Sequence, residues 1–157
     1  MEVWDAYDEK FNLIKDTTLI RGKDIPDGMY HLVCDVIVRH IYGDILLMQR
    51  DYCKTGGGLW EATAGGSALK GESPLICAKR ELLEETGIDS GKLIELGSIL
   101  CKEHKTIYFE FLCITNCDKN LIILQNGETI DYKWVSFENI NKEELITKRI
   151  FNFYNHY

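Results

Sequence analysis

The segment Ser73–Gly87 constrains this chain more than any other. It opens on Ser73-Pro74, a serine suited to cap a helix and a proline suited to its first turn. It ends on Gly87, the residue type that most readily takes the left-handed conformation closing a helix. No helix breaker intervenes, so the pattern predicts a helix over Pro74–Thr86. At ~100° per residue, Glu81, Glu84 and Glu85 fall within an arc of roughly 100°. Leu75, Ile76, Leu82 and Leu83 lie mostly on the other side and are expected to anchor the helix in a core. Three crowded carboxylates repel one another, and an isolated surface helix gains nothing from them. A hard divalent cation reverses that sign, because carboxylate oxygens are the ligands magnesium and manganese take. Arg80, four residues before Glu84, can steady the cluster through its forked donors. The glycine turn Gly65-Gly66 lets backbone carbonyls approach the same point.

Around this helix the chain reads as short strands. Val3–Tyr7 and Asn12–Thr17 flank the turn Asp8-Glu9-Lys10, and Tyr30–Arg39 is rich in Val, Ile and Leu. Gly43-Asp44 turns the chain into Ile45–Arg50; Asp51–Gly58, with three consecutive glycines, reads as a mobile loop; Leu59–Ala64 is extended. Leu93–Cys101 and Ile107–Thr115 are strands joined by the polar Lys102–Lys105, and Leu121–Leu124 and Tyr132–Ser136 are shorter candidates. A second helix is expected over much of Asn141–Tyr154. Many strands with few helices predict an α+β or α/β fold with helices packed on a mixed sheet. With 157 residues and neither repeat nor linker, one domain over residues 1–157 is expected.

Eighteen basic against 25 acidic residues give a net charge of −7, without the basic stripe that binding a nucleic-acid polymer requires. Apolar stretches such as Ile45–Met48 and Leu121–Leu124 fall far short of the ~20 residues that span a bilayer. The acidic start Met1-Glu2-Val3-Trp4-Asp5 lacks a signal-peptide pattern, so a soluble, cytoplasmic protein without membrane association is expected. Cys101-x-x-His104 followed by Cys113-x-x-x-Cys117 loosely imitates zinc-ligand spacing, but Cys113 continues a strand-like run, where cysteine is usually a small core residue. His31, His40, His104 and His156 show no pairing with a nucleophile, which disfavours a Ser–His or Cys–His hydrolase. Trp4, Trp60 and Trp134 read as packing residues rather than base-stacking platforms.

From Gly66 to Ile88 the pattern is Gly66, five residues, Glu72, seven residues, then Arg80-Glu81, an aliphatic, one residue, Glu84-Glu85, one residue, Gly87 and an aliphatic. Over these 23 residues it resembles, without a departure, the signature of the Nudix (MutT-type) hydrolases. Trp4-Asp5-x-Tyr7-Asp8, Pro26…Tyr30-His31 and Leu59-Trp60-x-Ala62-Thr63-Ala64-Gly65-Gly66 resemble the branch that includes isopentenyl-diphosphate isomerase. The resemblance implies an α/β/α sandwich around a central mixed sheet. It implies hydrolysis of a small nucleoside-diphosphate-X substrate with Mg²⁺ or Mn²⁺, by a monomer or homodimer. Carried over, Glu81, Glu84 and Glu85 bind metal with the Gly65 carbonyl as a further ligand, Glu81 being the water-activating base in some relatives. Glu72 orients Arg80, and Gly66, Glu72 and Gly87 are structural positions. Many relatives add a carboxylate from outside the box. Glu128, six residues before Trp134, is the candidate here, with Glu103, Glu110 and Asp131 as substitutes.

The chemistry fits: a diphosphate repels nucleophiles, and cations that neutralise its oxygens and acidify water leave the protein to position the parts. Two other readings stand beside hydrolysis. An isomerase of the resembling branch relies on a Cys-His segment where this chain has Ala62-Thr63-Ala64-Gly65-Gly66. A non-catalytic ligand-binding module is marked by loss of a box carboxylate, and none is lost.

Overall fold

The run His31–His40 carries Leu32, Val33, Val36, Ile37 and Val38, an apolar stretch suited to a strand covered on both faces. In the computed structural model, which describes residues 1–155, this run is the centre of the sheet. His156 lies outside the described residues. The elements are β1 (Val3–Tyr7), β2 (Leu13–Ile20), β3 (His31–His40), β4 (Ile45–Arg50), β5 (Trp60–Glu61), β6 (Ala64–Ser67), α1 (Pro74–Thr86), β7 (Lys92–Cys101), β8 (Thr106–Thr115), β9 (Thr129–Val135) and α2 (Arg149–Tyr154).

Along one edge β3 pairs in parallel with β8, from His31↔Thr106 to His40↔Thr115, and β7 continues antiparallel beyond β8. The other edge is divided: β6 pairs antiparallel with Val33–Val36, and β4 joins at Arg39↔Ile45. Thr63 fills the junction. Its N–H donates to the Val36 carbonyl, and its hydroxyl accepts from the Val38 N–H and donates to the Leu46 carbonyl. Strands β5 and β9 flank β4, which makes a mixed seven-stranded sheet. Alternation along β3 sends Val36 and Val38 to the α1 side with Cys77 and Leu82, and Ile37 to the α2 side with Ile150 and Phe151. The expected helix–sheet–helix sandwich is the fold.

The hairpin β1–β2 forms a separate two-stranded sheet docked where β6 leads into α1. The Lys70 N–H donates to the Val3 carbonyl (3.0 Å), the Gly71 N–H to Asp5 Oδ2 (2.7 Å), and the Trp4 ring stacks on His31 with centroids 4.2 Å apart.

Tertiary contacts override the local pattern at four places. The expected helix over Asn141–Tyr154 is interrupted: a 3₁₀ turn at Lys142–Glu144 is followed by buried Leu145, and the Ile146 N–H donates to the Trp60 carbonyl (3.0 Å). That strand-like contact takes the chain out of helix until Arg149. Leu121–Leu124 is not a strand; the Ile123 N–H donates to the Thr86 carbonyl at the end of α1, Ile122 packs on the core, and Leu121, Ile123 and Leu124 are exposed. Leu59–Ala64 splits at Thr63 into β5 and the start of β6. On α1, Leu75, Ile76 and Leu83 face outward, while Cys77, Ala78, Leu82, Glu85 and Thr86 are buried. The core face of the helix therefore overlaps the carboxylate arc instead of opposing it. Small Cys77 and Ala78 let the helix sit close to β6, with Cys77 Sγ 3.5 Å from the Gly66 carbonyl oxygen.

Candidate active site

The helix begins and ends as its local chemistry dictates. The Ser73 hydroxyl accepts from the Ile76 N–H, Pro74 occupies the first turn, and Gly87 closes α1 at φ +76°. The strand in front of it needs two adjacent glycines for opposite reasons. Gly66 faces α1, and a Cβ there would meet the Glu81 carboxylate at 2.4–2.7 Å. Gly65 faces the other side of the sheet, where a Cβ would meet Asp35 Oδ1 at 2.2 Å and the Cys34 carbonyl at 2.8 Å. Carboxylates thus occupy both spaces that side chains would take. Asp35 is held in turn by Arg149, which also donates to Glu110 and lies 3.5 Å over the Tyr108 ring.

Arg80 ties the box together. Nε and Nη2 donate to the two oxygens of Glu72 (2.7 and 2.9 Å), a forked pair. Nη2 also donates to the Ser67 carbonyl (3.0 Å), and Nη1 to Glu81 (2.7 Å) and Glu84 (3.3 Å). Glu72 further accepts from the Leu69 N–H, so the loop before α1 and the helix are clamped by one ion pair. The Glu72 hydrogen bonds raise the Arg80 pKa against the opposing effect of burial.

Glu85 is the least accessible of the three clustered carboxylates on α1, at 6% exposure. It accepts from the Gly65 N–H (3.2 Å), and among the described residues it has no cationic partner. Burial pushes its pKa well above the usual carboxylate range, reinforced by Glu61 and Glu81 and opposed by the Gly65 N–H. Burial also raises Glu81, against the pull of Arg80. Among the described residues no three His, Cys, Asp or Glu side chains already stand in coordinating geometry; Glu81 and Glu84 are turned onto Arg80.

These side chains open on a cavity of about 500 Å³. Gly65 and the box residues Gly66, Arg80, Glu81, Glu84 and Glu85 form one part of its wall, and Lys54, Gln125 and Glu128 come from two loops. Of the four carboxylates considered outside the box, Glu128 alone lines this cavity, where it is paired with Lys54. Glu103 is exposed in the turn between β7 and β8, and Asp131 is exposed on β9. Glu110 is fully buried behind the sheet, where burial and the Asp35 charge push it up to about 7 against the pull of Arg149.

Sequence reasoning missed five wall residues, Glu2, Arg21, Lys54, Ser67 and Gln125, as well as Glu61, whose charge acts on Glu85. Lys54 could have been noticed as the cation of the glycine-rich loop; the others carry no local signal. Trp4 also lines the cavity, although it is 8% exposed and packs as expected. Trp60 lies under Lys133, and Trp134 donates to the Lys119 carbonyl. The zinc-like spacing does not converge: Cys101 pairs with Thr106 and Cys113 with Leu93, at opposite ends of one hairpin and roughly 20 Å apart at ~3.3 Å per residue.

Residues 29–157 match the family described as NUDIX domain. The chain belongs to the Nudix family. It is 35% identical over 150 residues to an uncharacterized Nudix hydrolase of Listeria monocytogenes, covering 92% of this chain and 83% of the relative. An isopentenyl-diphosphate Delta-isomerase of Corynebacterium diphtheriae is 32% identical over 75 residues, 47% of this chain and 41% of that one, so the isomerase-like flank is a partial likeness. A crystal structure from Deinococcus radiodurans superposes with a TM-score of 0.78 over 99% of each chain at 15% identity, which shows the shared fold. As a Nudix hydrolase, the chain acts on diphosphate bonds. Among the described residues no helix is long and apolar enough to cross a membrane.

Proposed function

We propose that this protein is a divalent-metal-dependent pyrophosphohydrolase that cleaves a small nucleoside-diphosphate-X substrate by water attack, working as one cytoplasmic domain. The observation that carries this reading is the convergence of Glu81, Glu84, Glu85 and Glu128 on one cavity, with a buried Glu85 that has no cationic partner among the described residues. A hard cation fits such a donor set: Glu81, Glu84, Glu85 and the Gly65 carbonyl would hold Mg²⁺ or Mn²⁺. Bound there, the cation supplies charge neutralisation at the diphosphate and acidifies water.

The chain's own residues do the rest. Arg80, fixed by Glu72, holds Glu81 and Glu84 by hydrogen bonds at the cavity wall. Glu128, on a loop outside α1, takes the proton of the attacking water, and Lys54, its partner in the free protein, is placed to meet a phosphate oxygen when Glu128 turns to that task. Trp4 and Gly66 narrow the cavity around the substrate.

A panel of nucleoside-diphosphate sugars, dinucleoside polyphosphates and non-nucleotide diphosphates, including isopentenyl diphosphate, tests the reading through released phosphate products with and without Mg²⁺. Hydrolysis that vanishes in EDTA and returns with Mg²⁺ or Mn²⁺ is expected. Full turnover by chelator-stripped protein, or isomerisation of isopentenyl diphosphate without hydrolysis of any member, would overturn it.

A further inference from the structure

The Nudix match begins at Met29, yet the hairpin β1–β2 and its flanking residues contribute Glu2, Trp4 and Arg21 to the cavity wall. The cavity is lined by three cations, and they differ in how far they are engaged. Arg80 donates to Glu72, Glu81, Glu84 and the Ser67 carbonyl. Lys54 is paired with Glu128. Arg21 donates through Nη1 alone, to Glu2 Oε2 at 2.9 Å, and its side chain is 63% exposed. Its Nε and Nη2 have no partner among the described residues.

The guanidinium is nonetheless held in place. Both oxygens of Glu2 are taken, Oε1 by the Trp4 indole N–H (2.7 Å) and Oε2 by Arg21. These bonds outweigh the effect of burial and hold the Glu2 pKa below its ordinary value, so the bracket stays charged. The Arg21 N–H donates to the Glu2 carbonyl (3.1 Å), and the hairpin is fastened to the loop before α1 through Val3, Asp5 and the Trp4–His31 stack. A planar fork with unused donors, at the rim of a cavity otherwise dominated by carboxylates, suits two-point recognition of a phosphate.

We propose that Arg21, bracketed by Glu2 and Trp4, selects substrates that carry a further phosphate beyond the scissile diphosphate. This rests on the pyrophosphohydrolase reading for where the diphosphate lies. A neutral group at that end leaves the Arg21–Glu2 pair as it stands. A phosphate engages the free edge of the guanidinium without breaking that pair, so the contact adds to binding instead of exchanging one ion pair for another.

Calorimetric titration of the full chain with the methylene-bridged, non-hydrolysable analogues of inorganic diphosphate and tripolyphosphate, at Mg²⁺ in excess over either probe, tests the assignment without catalysis. The wild-type protein should favour tripolyphosphate by about tenfold or more, the scale of a charge-assisted contact. Arg21→Gln should remove that preference and leave diphosphate affinity within about twofold, and Arg21→Lys should keep part of it, retaining charge without the fork. Arg21 is exposed, so unchanged melting of both variants is expected. A preference that persists in Arg21→Gln, equal weakening of both probes, or a wild-type protein that does not distinguish them overturns the proposal. If no member of the substrate panel is hydrolysed while the preference collapses as stated, the hydrolase reading fails and the Arg21 assignment stands. Metal-dependent hydrolysis with an unchanged preference has the opposite meaning.

Discussion

Gly66→Ala should separate catalysis from folding. The new Cβ would lie 2.4 Å from Glu81 Oε1 and 2.5 Å from its Cδ, whereas ordinary contact begins near 3.4 Å, so the carboxylate must retreat by about 1 Å. It sits at the end of a flexible side chain and can do so. The folding cost is chiefly the Arg80–Glu81 hydrogen bond (2.7 Å), a charged pair worth ~1.5–3 kcal/mol, offset by ~0.5–1 kcal/mol from replacing glycine in a strand. A net loss of ~1–2 kcal/mol lowers Tm by roughly 2–8 °C for a chain of this size. Displacing a reacting group by ~1 Å is enough to cost ~10²-fold in rate. Gly65→Ala is the control: its Cβ meets Asp35 Oδ1 at 2.2 Å and the Cys34 carbonyl at 2.8 Å. Arg149 holds Asp35, and strand pairing holds Cys34, so neither can withdraw. Overpacking against backbone should cost ~3 kcal/mol or more. Thermal melts read the folding cost, and metal-dependent phosphate release from an accepted diphosphate reads the catalytic one. Near-wild-type turnover in Gly66→Ala, or a melt as damaged as that of Gly65→Ala, would refute the reasoning.

Glu85→Gln should lower kcat by orders of magnitude while the metal-free protein melts at the same temperature or higher, because the substitution removes a buried charge repelled by Glu61 and Glu81; a clear drop in the metal-free Tm would contradict this. Glu128→Gln should cut kcat by ~10²-fold and change stability by less than ~1 kcal/mol, since its Lys54 partner is solvent-accessible; normal turnover would remove Glu128 from the mechanism, and Glu81→Gln assayed in parallel tests the other carboxylate able to accept the proton. His31 is pressed down to about 4 by burial, with Glu2 opposing. Its contribution is present above the unfolded value near 6.5 and is lost as pH falls towards 4, so urea melts should show stability dropping by ~1–2 kcal/mol over that window after allowance for partial exposure. His31→Phe should flatten that slope, and a slope unchanged in the variant assigns it to other groups.

Local chemistry sets the bounds of α1 to the residue, because Ser73, Pro74 and Gly87 act within one turn of the positions they cap. The strands β1 and β4 are equally legible in the sequence, and so is the family, because the box spacing is itself a helical pattern; the helix–sheet–helix layering comes only as what that resemblance implies. Three features lay beyond local chemistry. Which arc of α1 is buried depends on what it packs against: β6 offers two glycines and accepts Cys77, Ala78 and even Glu85, leaving Leu83 outside. The C-terminal segment has helical composition, but a single backbone hydrogen bond to Trp60 and the burial of Leu145 stop the helix until Arg149. The cavity gathers Arg21, Lys54, Gly66, Glu85 and Glu128 from five separate stretches of the chain, and no spacing along the sequence encodes a meeting made by sheet order. Local rules reach as far as one turn of helix or one pleat of strand; the site is assembled across the sheet, where only the docking of the hairpin and the divided edge of β3 decide which side chains share the same water.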